Sequence, residues 1–76
     1  MKYLVTIAEF GDAADDRATW HYFNGLSLEQ AWRIAERHAR RGFNRHGGTI
    51  ERNYWGARGG SFPNAYRSAV IKLDNH

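Results

Sequence analysis

The sequence predicts an α+β domain: an antiparallel four-stranded sheet in the order β-β-α-β-β, with one helix packed on one face. Three observations carry this. Segments 2–10 and 17–23 alternate side chains with the two-residue period of strands, and a short polar stretch joins them. Segment 27–41 repeats apolar residues at the helical period behind a capping pair. Segments 49–55 and 65–73 then return to the strand pattern. Strands on both sides of one helix give a sheet covered on a single side.

The first strand, "KYLVTIAEF" (2–10), sets Tyr3, Val5 and Ile7 on one face and Leu4, Thr6 and Ala8 on the other. "GDAADD" (11–16) breaks it, because Gly and Asp favour turns and three carboxylates resist unpaired burial. Asp12, Asp15 and Asp16 also lack the glycine and distant glutamate of a calcium loop, so a solvated turn is expected. "RATWHYF" (17–23) alternates Ala18, Trp20 and Tyr22 against Thr19, His21 and Phe23, and a short connection makes an antiparallel hairpin the default.

In the helix, Ser27 and Gln30 have the spacing of a capping box, and Leu26 is placed to staple onto Ala31. At 100° per residue, Leu28, Ala31, Trp32, Ala35, His38 and Ala39 share one stripe, with Ile34 at its edge. Arg33, Arg37, Arg40, Glu29 and Glu36 lie opposite. So many alanines imply a close approach to the sheet. The helix is expected near 28–41, stopped at Gly42, with Arg40 and Arg41 facing the negative end of its dipole. "TIERNYW" (49–55) reads as the third strand, "GARGGSFPN" (56–64) as a loop because of its glycines and Pro63, and "AYRSAVIKL" (65–73) as the fourth strand.

Composition narrows the function. A chain of 76 residues is one domain, 1–76, with a thin core, and its eleven aromatic residues supply large apolar area. With no cysteine, disulfides and thiolate metal sites are excluded. No apolar run nears a membrane span and the start leads into a strand pattern, so a cytoplasmic protein is expected. The net charge of +3 is uneven. Residues 1–32 carry two basic and five acidic side chains, a net −3, whereas residues 33–76 carry nine and three, a net +6. Such asymmetry marks a surface that meets phosphates or carboxylates.

The candidate site follows from "HARRGFNRHGG" (38–48). Helix capping explains Arg40 and Arg41 but ends at Gly42. Arg45 and His46 continue the charge, Arg33 and Arg37 extend it back along the helix, and Arg52 and Arg58 follow. Guanidinium forks grip carboxylates and phosphates in two-pronged fashion. In "RNYWGARGG" (52–60), Tyr54 and Trp55 interleave with arginines, a pattern suited to partner contact or base stacking. On a strand, one of these two rings would face the helix and the other the open side.

Arg33, Arg37, Arg40, Arg41, Arg45, Arg52, Tyr54, Trp55 and Arg58 are therefore the expected partner-binding residues. His21, His38, His46 and His76 show neither metal-ligand spacing nor a nucleophile–base pattern, so no catalytic residue, metal or cofactor is expected.

Size, element order and the basic helix end, carried by "SLEQAWRIAERHA" (27–39) followed by "GTIERN" (48–53), resemble the small phage-encoded anti-CRISPR proteins that act on type I CRISPR–Cas effector complexes. The resemblance implies inhibition without catalysis, by docking on the repeated backbone subunits and blocking guide–target pairing. The host-cell cytoplasm would be its site of action. A net positive patch departs from simple DNA mimicry, which needs carboxylates. Two rival readings use the same features: a small RNA- or DNA-binding domain working through the Arg/aromatic patch, and a structural or dimerisation module. The expected partner is a protein or nucleoprotein complex, with nucleic acid the alternative and no membrane. The chain itself is expected to be a monomer or weak homodimer.

Overall fold

The computed structural model describes residues 1–11 and 19–74, with only the backbone of Thr19 and Trp20. The expected acidic turn with Asp12, Asp15 and Asp16, the start of the second strand, and His76 lie outside the described residues. Five strands and one helix follow in the order β1 (Tyr3–Phe10), β2 (Thr19–Leu26), α1 (Leu28–His46), β3 (Thr49–Asn53), β4 (Gly56–Ser61) and β5 (Ala65–Leu73). The class is α+β, with one antiparallel sheet in the order β2-β1-β5-β4-β3. No helix among the described residues is long and apolar enough to cross a membrane.

The sheet has five strands where the sequence predicts four, because the expected loop 56–64 contains β4. Its glycines oppose a strand by propensity, yet "GARGGS" lies between β3 and β5 with four of its six residues buried. Packing decides here. A methyl group on Gly59 would overlap the Ala39 carbonyl oxygen, and one on Gly42 would overlap the Gly59 carbonyl oxygen. The two glycines let helix and strand backbones meet.

Gly42 is therefore a contact residue, and the expected helix stop there is corrected: α1 continues for another turn to His46. It ends at Gly47, whose φ of 71° suits a residue without Cβ and whose N–H donates to the Phe43 carbonyl at 2.8 Å. Two further boundaries shift. β2 runs on through Asn24 and Gly25 to Leu26, with a register irregularity opposite Tyr3–Val5. β3 stops at Asn53, so Tyr54 and Trp55 form a tight turn into β4 instead of lying on opposite faces of a strand.

The capping box is present. Ser27 Oγ accepts from the Gln30 N–H at 3.1 Å, and Gln30 Oε1 accepts from the Ser27 N–H at 2.9 Å. Ser27→Ala is expected to cost about 1 kcal/mol, measured by denaturant unfolding against the parent chain. A loss below a few tenths would show that packing of α1 holds its first turn without the cap.

The core is built from small residues. Val5, Ala31, Ala35, Ala39, Ala57 and Ala69 are buried together, and Tyr3, Ile7, Leu26, Trp32, Ile34 and Ile71 pack around them. Of the rings, Trp32 lies beneath Arg52, while Phe10 stacks on Tyr66 at 4.7 Å and Phe62 meets Tyr66 edge-on. Five strands about 4.8 Å apart span roughly 19 Å, whereas a helix is about 10–12 Å across. One helix cannot cover this sheet. It lies chiefly on β4 and β5, and β2 extends beyond it.

Candidate functional site

The flank of α1 that overhangs β1 and β2 carries Ile34, Arg37, His38 and Arg41. Positions 34, 37, 38 and 41 are three or four apart, so they project to one side. With Ile7 of β1 and Phe23 of β2 they line a cleft of about 210 Å³. A second cleft of about 170 Å³ shares Ile7, His38 and Arg41 and adds Glu9, His21 and Arg67. The floor is apolar and the wall is basic.

Glu9 anchors one end. Tyr3, Val5, Ile7 and Glu9 alternate on the helix-facing side of β1, so a carboxylate stands where the pattern asks for an apolar residue. Partners offset the cost of that placement. Arg67 Nε donates to Glu9 Oε2 at 2.7 Å, Arg45 approaches the same oxygen at 3.8 Å, and His46 Nε2 lies 3.5 Å from it. Burial raises the Glu9 pKa, but the Arg67 hydrogen bond and the charges of Arg67 and Arg45, with His46, outweigh it and hold the carboxyl below its usual range. This cluster fastens the last turn of α1, beyond Gly42, to β1 and β5.

His38 fastens the middle. Its Nε2 donates to the Ala8 carbonyl at 3.0 Å, which requires the proton on that nitrogen. Burial lowers its pKa, the Ala8 hydrogen bond and Glu9 act in the opposite direction, and Arg67 and Arg41 depress it further, so the net shift is downward. The folded ring stays neutral where the unfolded ring, at about 6.5, takes a proton. Below that value the unfolded state binds more protons, and stability falls as pH drops. Glu9 adds its own loss only at lower pH, below its unfolded value. Thermal melts from about pH 7 to about pH 5 should therefore show decreasing stability, and His38→Gln should flatten that decrease. An unchanged slope in the variant would assign it elsewhere.

The nine expected partner-binding residues divide into groups. Arg33 pairs with Glu29 at 3.1 Å within α1. Arg52 pairs with Glu36 at 3.1 Å and lies 4.2 Å over Trp32. Arg58 is on the sheet face away from α1, paired with Glu51 at 3.1 Å and stacked 4.1 Å over Phe62. Glu51 is held low by hydrogen bonds from Asn53 and then Arg58, which offset its slight desolvation. Arg45 belongs to the Glu9 cluster. Tyr54 is 96% exposed at the β3–β4 turn, and Trp55 is half-buried beside it.

Arg37, Arg40 and Arg41 remain. All three are exposed, and none has an ion-pair partner among the described residues. Arg37 and Arg41 line the cleft, while Arg40 faces outward on the next ridge. The fold thus divides the expected nine-residue surface, and the charge left without an ion-pair partner among the described residues lies on α1 at Arg37, Arg40 and Arg41.

Sequence reasoning missed Ile7, Glu9, His21, Phe23 and Arg67 as parts of this site. A signal was available: Glu9 and Arg67 each interrupt an apolar face, at alternate positions from Val5–Ile7 and Ala65–Ala69. No group of three His, Cys, Asp or Glu side chains among the described residues is placed to hold a metal ion.

No family model, curated protein or solved structure matches this chain.

Proposed function

We propose that the chain is a non-enzymatic binding module that acts stoichiometrically, presenting Arg37, Arg40 and Arg41 to an anionic surface of a protein or nucleoprotein partner. One observation carries the reading. Arg33, Arg45, Arg52, Arg58 and Arg67 each pair with a carboxylate of the chain, whereas these three have none among the described residues. Like charges at positions four apart repel, so an anion bridging Arg37 and Arg41 relieves a cost that the free domain carries. The adjoining apolar floor of Ile7 and Phe23 suits a protein surface, since interfaces combine an apolar centre with a polar rim.

The free nucleic-acid reading draws less support. Tyr54 of its patch is exposed and Trp55 half-buried, but Arg52 is held by Glu36 and Trp32, and Arg58 by Glu51 and Phe62. Both guanidinium groups are thus occupied within the chain. The narrower form of the proposal, an inhibitor that docks on a type I CRISPR–Cas effector, rests on the resemblance of size, element order and basic helix end read from the sequence, of which the order now includes a fifth strand.

The test is a binding titration of purified effector and of free DNA and RNA, for the parent chain and for a variant with Arg37, Arg40 and Arg41 reversed to Glu. Tight effector binding that the variant loses supports the inhibitor. Affinity for free nucleic acid alone, falling with a log–log salt slope near −0.9 per duplex phosphate contacted, assigns the patch to nucleic acid. Equal affinity of parent and variant for every anionic partner tested overturns the proposal.

A further inference from the structure

The two edges of the sheet are unlike. β3 is five residues long and carries Glu51 and Arg52, charges of the kind that discourage another strand from pairing. β2 is eight residues long, "TWHYFNGL", with no charged residue and no proline. His21, Tyr22 and Phe23 are exposed at its centre, Tyr22 at 68% and Phe23 at 41%. Only the irregularity near Gly25 interrupts it. Among the described residues no strand pairs with its outer side, so the backbone donors and acceptors of that side have no strand partner there.

The clefts lie alongside this edge. Phe23 and His21 of β2 form part of their floors, and Arg37 and Arg41 stand on the opposite wall. A sixth strand added to β2 would turn every second side chain towards the helix-facing side and the others away. Those on the helix-facing side meet Phe23 and then the two guanidinium groups. Carboxylates there would find the positive charge that has no ion-pair partner among the described residues.

We infer that β2 is a pairing edge that takes up an extended, acidic segment of a partner protein as a sixth strand, with alternate Asp or Glu side chains directed at Arg37 and Arg41. Backbone hydrogen bonds would supply affinity, and the two arginines would select the sequence. This deepens the proposed function by naming the partner's form and chemistry, and it rests on that reading. A second copy of the chain offers no carboxylate on β2 to match Arg37 and Arg41, so it satisfies the backbone but not the charge.

The test uses the whole chain, isotope-labelled, with three probes: a peptide of about eight residues alternating Glu and Thr, the same peptide with Lys for Glu, and single-stranded oligothymidine. The Glu peptide is expected to shift the amides of residues 21–24 and to slow exchange of β2 amides not engaged with β1. The Lys peptide should leave them unchanged. Phe23→Glu, at an exposed position, should weaken the Glu peptide by at least about tenfold without altering the spectrum of the core.

Shifts confined to α1, with β2 unchanged, would overturn strand addition while leaving the anion-binding proposal standing. Failure of the Glu peptide and oligothymidine alike to shift any residue would remove both. A doubling of mass accompanied by β2 shifts without peptide would give the edge to a second copy and overturn the inference.

Discussion

Gly59→Ala is expected to destabilise the domain by about 3 kcal/mol, near the upper end for overpacking a rigid site. The added methyl group would overlap the Ala39 carbonyl oxygen, a backbone atom that cannot swing aside. Either α1 lifts from β4, exposing the alanine contacts beneath it, or β4 leaves the sheet. For a domain of this size the same loss lowers the melting temperature by roughly 12 °C or more. Such small domains hold only about 3–5 kcal/mol in total, so the variant should be substantially unfolded at modest temperature.

Gly42→Ala gives the sharper sign. In an exposed helix interior, alanine in place of glycine stabilises by about 1 kcal/mol. Here the new methyl would overlap the Gly59 carbonyl oxygen and come within 3.0 Å of Arg67 Cβ, so the change should destabilise. Arg40→Ala, on the exposed side of the same helix, serves as the control and should stay within about 0.5 kcal/mol. A higher melting temperature for Gly42→Ala would show that helix and strand are not in backbone contact.

The second large effect is on binding. Reversing Arg37, Arg40 and Arg41 to Glu should reduce affinity for the anionic partner by at least about 100-fold, because three contacts change from attraction to repulsion. Stability should change little, since the substitution breaks no ion pair among the described residues and exchanges the Arg37–Arg41 repulsion for a Glu–Glu repulsion of similar size. Arg52→Glu makes the informative comparison. It would set a carboxylate beside Glu36 and remove the cation from over Trp32, so it should weaken folding more than binding. A partner titration beside a thermal melt separates the two effects. If Arg52→Glu abolished binding while the triple variant did not, the site would lie on the β3 side of α1.

Local rules were enough for much of this. Ser27 and Gln30 announce the helix start because a capping box is satisfied within four residues. Val5 and Ile7, like Ala31, Ala35 and Ala39, mark buried faces because burial follows the period of the backbone. The basic flank of α1 was legible for the same reason: positions 33, 37, 40 and 41 are on the surface once the alanines are inside.

What lay beyond the sequence depended on contacts between segments distant in the chain. "GARGGS" contradicts its own propensity and becomes a strand, because α1 presses on it and only glycine leaves room for two backbones. Gly42 gives the same local signal as Gly47, but the first is buried against β4 and the second, at positive φ, ends the helix. Charge is divided similarly. Arg33, Arg45, Arg52 and Arg58 are as basic as Arg37, Arg40 and Arg41, yet Glu29, Glu9, Glu36 and Glu51 neutralise them. The α+β class, the cap and the stripe of Ala31, Ala35, His38 and Ala39 follow from residue order alone, since these are periodic or local, whereas Leu28, expected on that stripe, is exposed. Contacts across the fold set which glycines bend the chain, which let it pack, and which arginines have no carboxylate partner among the described residues, since each depends on what comes within a few ångströms.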